Sequence, residues 1–323
     1  MFEFIRSQFT KLPYPTQDYT GKTVIVTGAN VGLGLEAARH FVRLNAAKVI
    51  LACRSIEKGE AAKEDIDTTT KRKGVAEVWQ LDLSSYESIR DFCKRADKLD
   101  RVDVLVENAA VARLSYSQIQ GHEATVTVNV ISTFLTALLM LPVLRKSATR
   151  HNITPHLVVV SSEVHAGAKF KEQNAPEIFK ELDNEKSDMM DRYPVSKLLE
   201  MLFIRELAPK MTQSGKPPVI LNMLNPGLCH SELSRDMRKN VLLWLIVGTF
   251  KAIMARTTEM GSRNYPFAAT ATSDTHGKYF SNCVVAKESA WVRSEKSAET
   301  QKRVYSELMA ILEDIEPGIS NNI

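Results

Sequence analysis

The chain has 323 residues, 44% of them hydrophobic, and its 42 Lys+Arg nearly balance 38 Asp+Glu for a formal net charge of +4. That is enough apolar content for one large α/β domain or two small ones, and too even a charge for a nucleic-acid arm. Lys71-Arg72-Lys73 reads as a solvated loop, and the four cysteines (Cys53, Cys93, Cys229, Cys283) form no Cys-x-x-Cys, so no disulfide framework or metal site is expected.

Residues 1–20, with Pro13, Pro15 and scattered aromatics, read as an extended arm. Thr23 to Thr27 is a β-branched run, Gly28 to Gly34 a glycine turn, and Leu35 to Leu44 a helical segment. Lys48 to Ala52 follows as a second strand, Glu57 to Thr68 as a polar helix, and Ala76 to Gln80 as a third strand. Ser84 and Ser85 suit the cap of a helix running to Lys98. Val102–Val106, Leu157–Val160 and Val219–Met223 are further strands, and 278–285 reads as a seventh. Long helices are expected from His122 to Arg145, Tyr193 to Lys210 and Ser294 to Ile315, with a turn or short helix around Pro176 to Leu182.

Alternation at this spacing predicts right-handed βαβ crossovers and a doubly wound parallel sheet of about seven strands, covered on both faces. One domain over 21–290 is the better count, with an arm before it and a helical extension over 291–323. Met1–Phe9 has too short an apolar run for a signal peptide and carries an acid within it, so none is expected, and the apolar run Val241–Phe250 falls well short of the ~20 residues of a membrane span. A cytoplasmic protein, at most surface-associated, is expected.

Two stretches carry chemistry. Tyr193-Pro-Val-Ser-Lys197 puts a phenol and an ammonium on one helix face, where the cation favours the phenolate and lowers its pKa. Taken alone it also fits a solvated helix face. Thr27-Gly28-Ala-Asn30-Val-Gly32-Leu33-Gly34 follows a strand and opens a helix, the setting in which glycines let backbone approach a pyrophosphate.

Together with Asn129, Ser161-Ser162 and Pro226-Gly227, these motifs resemble the short-chain dehydrogenase/reductase family over roughly residues 20–290. The detail of Ala52-Cys-Arg54-Ser55 and Val158–His165 is similar to retinol-dehydrogenase-like and WW-domain-oxidoreductase-like members, and the arm and C-terminal wording to filamentous-fungal ones. The resemblance implies a single-domain Rossmann fold with a substrate lid at about 231–260. It also implies roles, one position at a time. Tyr193 is the general acid/base, and Lys197 tunes it and holds the nicotinamide ribose. Ser162 binds the substrate oxygen, while Ser161 is a backbone-capping neighbour. Asn129 supports a water relay, or else only satisfies a buried hydrogen bond. The cofactor lies along Gly28, Asn30, Gly32, Leu33, Gly34, Asp82, Leu83, Asn108 and Ala109. Pro226, Gly227, Leu228 and Ser231 close over it.

No acid follows the second strand. Arg54 there, beside Ser55, offers a planar fork for a 2′-phosphate, so NADP(H) is expected over NAD(H) unless Arg54 is only a surface arginine. One departure stands out: Glu107-Asn108-Ala109-Ala110 replaces the family's Asn-Asn-Ala-Gly. A charge at the strand end and an added methyl are expected to loosen the adenosine side. Val241–Phe250 is core, lid or membrane contact. His165 and His230 read as walls of the cleft, with no metal. The expectation is an NADP(H)-dependent oxidoreductase interconverting a carbonyl and an alcohol on a bulky lipophilic molecule, a tailoring ketoreductase of secondary metabolism. The alternatives are a retinol-, steroid- or aldehyde-type dehydrogenase, or a cofactor binder without turnover. Its partners would be a small-molecule substrate and, as homodimer or monomer, at most itself.

Overall fold

The structure, a computed structural model, describes residues 2–230, 233, 248, 249 and 252–323. Ser231 and Val241–Phe250 as a unit therefore lie outside the described residues.

Among the described residues ten strands occur in chain order: β1 Thr23–Thr27, β2 Lys48–Cys53, β3 Ala76–Gln80, β4 Val104–Glu107, β5 Gln118–Ile119, β6 His122–Glu123, β7 His156–Val160, β8 Ile220–Asn225, β9 Tyr279–Ser281 and β10 Val284–Ala286. Eight of them form one sheet in the order β10-β9-β8-β7-β4-β1-β2-β3, while β5 and β6 make a separate hairpin. Every neighbour in the large sheet is parallel except β10, which runs antiparallel to β9.

Alternate side chains of the buried strands enter two different cores. Ile25, Ile50, Leu105, Leu157 and Leu221 face the helices Tyr86–Ala96, Ala124–His151, Met189–Gln213 and Glu295–Ile315. Val24, Val26, Leu51, Val106 and Val158 face the helices Gly32–Arg43, Ile56–Thr70 and Asn264–Ala268. A sheet covered on both faces needs apolar residues at both parities, which is why these strands read as continuous Val/Ile/Leu runs. The helix Ala124–His151 is long and apolar enough to cross a membrane, yet 89% of its apolar window is buried inside the fold. It is a core helix, with a π-helical stretch over Thr127–Ser132 that contains Asn129.

The structure differs from the sequence reading in four places. The single strand expected over 278–285 is two, because Asn282 (φ 55°) and Cys283 (φ 63°) both turn left-handed and reverse the chain. The sheet accordingly has eight strands. His122 and Glu123 belong to the β5–β6 hairpin, so the long helix starts at Ala124. The N-terminal arm opens with a helix, Phe2–Gln8. The stretch after residue 291 is packed into the sheet's own core through Val304, Leu308, Leu312 and Ile319, and Tyr305 stacks on Phe203 at 5.1 Å.

Strand order reverses between β1 and β4. In an open parallel sheet, that switch point leaves a crevice at the carboxyl ends of the strands, where ligands bind. The glycine turn, Glu107–Ala110, Ser161–Ser162 and Pro226–Leu228 all follow the carboxyl ends of central strands.

Candidate active site

The glycine turn between β1 and the helix Gly32–Arg43 is shaped by contacts that no side chain could share. Gly28 has φ +66°, and a Cβ there would lie 3.0 Å from the Ala109 Cα. A Cβ on Gly34 would lie 2.5 Å from both Asn108 Nδ2 and the Gly28 carbonyl oxygen. Gly32 (φ +64°) instead looks into open space, and the helix it begins has no side-chain cap and no acid in its first turn. Free amides at a helix start beside open space suit an anionic pyrophosphate. The residues present thus fit a dinucleotide. Asn30 and Leu33 sit half-buried on this turn.

Thr27 and Asn108 brace the turn from below. The Thr27 hydroxyl accepts from the amides of Asn108 (2.9 Å) and Ala109 (3.0 Å). Asn108 Nδ2 donates to the Thr27 carbonyl (2.8 Å), and its Oδ1 accepts from the buried Tyr265 hydroxyl (2.7 Å). No local sequence pattern marks Tyr265 as part of the site.

Glu107 does not carry the charge expected of it. It is buried, its Oε2 accepts from the Thr27 hydroxyl at 3.3 Å, and its Oε1 has no partner. Burial pushes its pKa up to about 8, partly offset by Thr27, so at neutral pH the carboxyl is protonated. The folded state therefore holds a proton that the unfolded chain releases above the ordinary 4.5. This stability is intact below that value and is lost as pH rises toward 8. At about 1.4 kcal/mol per tenfold change in proton affinity, the loss is bounded at roughly 5 kcal/mol. Glu107→Gln is expected to raise Tm by several degrees at pH 9 and to change it little at pH 5. Thermal melts giving the same difference at both pH values would refute the buried neutral acid.

Arg54, exposed beyond the end of β2, has no acidic neighbour in sequence. Ser55 is committed to capping the helix Ile56–Thr70, accepting from the Lys58 amide at 3.3 Å. After β3, Asp82 accepts from both the amide and the hydroxyl of Ser84 (2.9 and 2.6 Å), and the buried Leu83 offers its carbonyl to Ser132 at 2.6 Å.

At the end of β7, Ser161 points back into the fold and donates to the Lys197 carbonyl (3.2 Å). Ser162 caps the turn Glu163–Gly167, and its hydroxyl engages Tyr193. His165 Nδ1 lies 2.7 Å from the Ser162 carbonyl, and its Nε2 accepts from the Ser289 amide at 3.1 Å. The ring is thus the tautomer protonated on Nδ1, and burial holds its pKa down. It ties Ser162 to the C-terminal part of the chain, a more specific job than a cleft wall.

Tyr193, Ser196 and Lys197 lie in the helix Met189–Gln213. Asn129 does not touch Lys197: its amide grips the Val111 backbone on both sides (2.8 and 2.9 Å) and donates to Ser196 at 3.0 Å. The side chain therefore works as a buried hydrogen-bond link, one residue away from the lysine.

The Lys197 ammonium lies 5.9 Å from the Tyr193 ring centroid and donates to the Val160 carbonyl (2.8 Å) and to Glu200 Oε1 (2.7 Å). The expected lowering of the Tyr193 pKa is not what this geometry gives. Burial and then the Glu200 charge push it up, with Ser162 pulling the other way.

The Pro226–Leu228 loop is held by the N-terminal helix. Gln8 accepts from the Leu228 amide (3.0 Å) and donates to the carbonyls of Leu228 (2.9 Å) and Met254 (3.0 Å). Arg256 reaches the carbonyls of Pro226 and Ser7 and the Asn282 side chain. Gly227 (φ +80°) leaves space for both, since a Cβ there would stand 2.7 Å from Gln8 Oε1. No local sequence signal marks Gln8, whose partners lie 220 and 246 residues away.

Comparison with known proteins identifies the family. The family model for short chain dehydrogenases matches residues 22–170. Short chain dehydrogenase/reductase dmxR8 of Cryptosporiopsis sp. (strain 8999) is 45% identical over 99% of both chains. Short chain dehydrogenase atnD of Emericella nidulans is 45% identical over 85% of this chain and 88% of its own. The crystal structure of a short chain dehydrogenase from Escherichia coli CFT073, complexed with NADPH, superposes with a TM-score of 0.59 at 23% identity, covering 83% of this chain and 99% of its own. With the family model matched over residues 22–170 and a 45%-identical relative matched along nearly the whole of both chains, the chain belongs to the short-chain dehydrogenase/reductase family of oxidoreductases.

Proposed function

We propose that this protein is an NADP(H)-dependent reductase that interconverts a ketone or aldehyde and an alcohol on a bulky, lipophilic small molecule. The observation that carries the reading is the meeting of Ser162 and Tyr193 at the end of β7, with Lys197 one turn behind. A bound nicotinamide supplies or accepts the hydride. The chain's own residues do the rest: Ser162 and Tyr193 hold the substrate oxygen, and the Tyr193 hydroxyl delivers the proton to it. Lys197 and the backbone of Pro226, Gly227 and Leu228 hold the nicotinamide end, while Gly28, Gly34, Asn108 and Ala109 hold the pyrophosphate and adenosine end.

Support for NADP(H) comes from Arg54, whose guanidinium is free of an acidic neighbour in sequence, and from the NADPH carried by one structural neighbour. Arg54→Ala is expected to raise KM for NADPH about 10- to 100-fold, as loss of a charge-assisted contact of 1.5–3 kcal/mol implies, with KM for NADH unchanged. Equal effects on both cofactors would remove the assignment. Support for a lipophilic substrate comes from the apolar wording of Val241–Phe250 and from Ile253 beyond it, which is exposed. The fungal origin of the similar chains is in keeping with a tailoring step of secondary metabolism, and the reading takes that step to be cytoplasmic.

The test is NADPH oxidation against a panel of bulky ketones and aldehydes, beside NADPH binding. Turnover with a member of the panel supports a reductase. Tight binding without turnover across the panel would replace it with a cofactor binder.

A further inference from the structure

Behind the Tyr193–Lys197 pair lies a carboxylate that the reading above does not use. Tyr193, Lys197 and Glu200 stand at i, i+4 and i+7 of the helix Met189–Gln213 and so share one face. Glu200 is 1% exposed and Lys197 3%. Their charged ends meet at 2.7 Å, and the Val160 carbonyl fixes the ammonium from the other side. Lys197 is the charge that Glu200 meets. Among the described residues the neighbouring elements contribute neutral groups: Ser161 and Ser162 from the end of β7, and Asn129 through Ser196.

We propose that Glu200 is a positioning residue which holds the Lys197 ammonium and, by opposing its charge, governs the acid–base behaviour of Tyr193. A lone cation one turn from a phenol favours the phenolate. A carboxylate 2.7 Å from that cation cancels most of its field at the phenol, and does so strongly in a buried site. Tyr193 is accordingly kept as a phenol, ready to give a proton, as long as Glu200 is ionised. Burial raises the Glu200 pKa to about 7, against the pull of Lys197, which places its own titration near neutral pH.

The inference rests on the reductase reading, and its test is arranged to separate the two. Glu200→Gln keeps the shape and an acceptor for Lys197 but removes the negative charge; Glu200→Asp keeps the charge. Two quantities are followed for each variant: the pH profile of kcat for NADPH-dependent carbonyl reduction, and the near-ultraviolet phenolate titration, with the Tyr193→Phe titration subtracted. In Glu200→Gln the phenolate should form, and the reductive rate should fall away, at a pH lower by about 1 than in wild type. Glu200→Asp should keep the wild-type position. Coincident curves for wild type and Glu200→Gln, an upward shift, or an equal shift in Glu200→Asp would overturn the proposal. If Glu200→Gln does not fold, Glu200→Asn provides the same neutral comparison. Absence of turnover in wild type would end the reductase reading, while the phenolate titration would still decide the role of Glu200.

Discussion

Replacing Tyr193 by phenylalanine is expected to lower kcat for carbonyl reduction by about 10²- to 10⁴-fold, the usual contribution of a positioned general acid. The substitution removes one oxygen from a residue that is half-buried and hydrogen-bonded through that oxygen to Ser162. The ring and its packing stay, so Tm and the affinity for NADPH should stay close to wild type. A fall in kcat with both of these preserved separates a chemical role from a structural one. The direction of the pKa shift adds a second expectation. Burial and the Glu200 carboxylate raise the Tyr193 pKa, so near neutral pH the group is a phenol, the form that reduction requires. Alcohol oxidation needs the phenolate, and its rate should climb with pH well past neutrality while the reductive rate holds. Parallel initial rates in both directions from pH 6 to pH 10 provide the check. Full activity in Tyr193→Phe would move the proton donor elsewhere.

The parts of this site that a sequence displays are those built from local patterns. Val24–Val26 and Val104–Val106 read as strands because a doubly covered parallel sheet needs apolar side chains on both faces. Gly28 and Gly34 are legible because only glycine fits where backbone and the Asn108 side chain come that close. Tyr193 and Lys197 are legible through helical spacing. What stays hidden is whatever depends on a distant partner. Gln8 reads as one polar residue in an arm, and only the fold brings it to Leu228. Tyr265 reads as core, and only the fold gives its hydroxyl to Asn108. Glu200 reads as a solvated helix residue, because burial of a charge depends on what covers it. The turn at Asn282-Cys283 is missed for a different reason. Asn282 suits a left-handed turn, but cysteine seldom adopts one, so Ser281-Asn-Cys-Val284 lacks the Asn-Gly signature of a two-residue hairpin and reads as continuous strand.

Arg192, next to Tyr193 in the chain, belongs to the same hidden class, and its replacement should have the largest effect on stability. The guanidinium is fully buried. It lies 3.1 Å from Glu172 Oε1 and 3.6 Å from Glu123 Oε2, with Nε and Nη2 making no hydrogen bond. Glu123 in turn caps the long central helix by accepting from the amides of Thr125 (2.9 Å) and Val126 (3.0 Å). Three separate pieces of chain, the β5–β6 hairpin, the turn Lys171–Asn174 and the start of the helix carrying Tyr193, are joined by this one cation. Arg192→Met would leave the fully buried Glu123 and the largely buried Glu172 without their counter-charge. Breaking a buried ion pair from one side typically costs 3–5 kcal/mol. At about 2–4 °C per kcal/mol for a domain of this size, Tm should fall by roughly 10 °C. Because the damage is the stranded charge and not the lost attraction, removing the charges as well should repair much of it. The triple variant Arg192→Met, Glu123→Gln, Glu172→Gln is expected to melt well above Arg192→Met alone. If the triple variant melted lower still, the network would be stabilising in its own right, and the reading of Arg192 as a cation needed chiefly to neutralise Glu123 and Glu172 would be wrong.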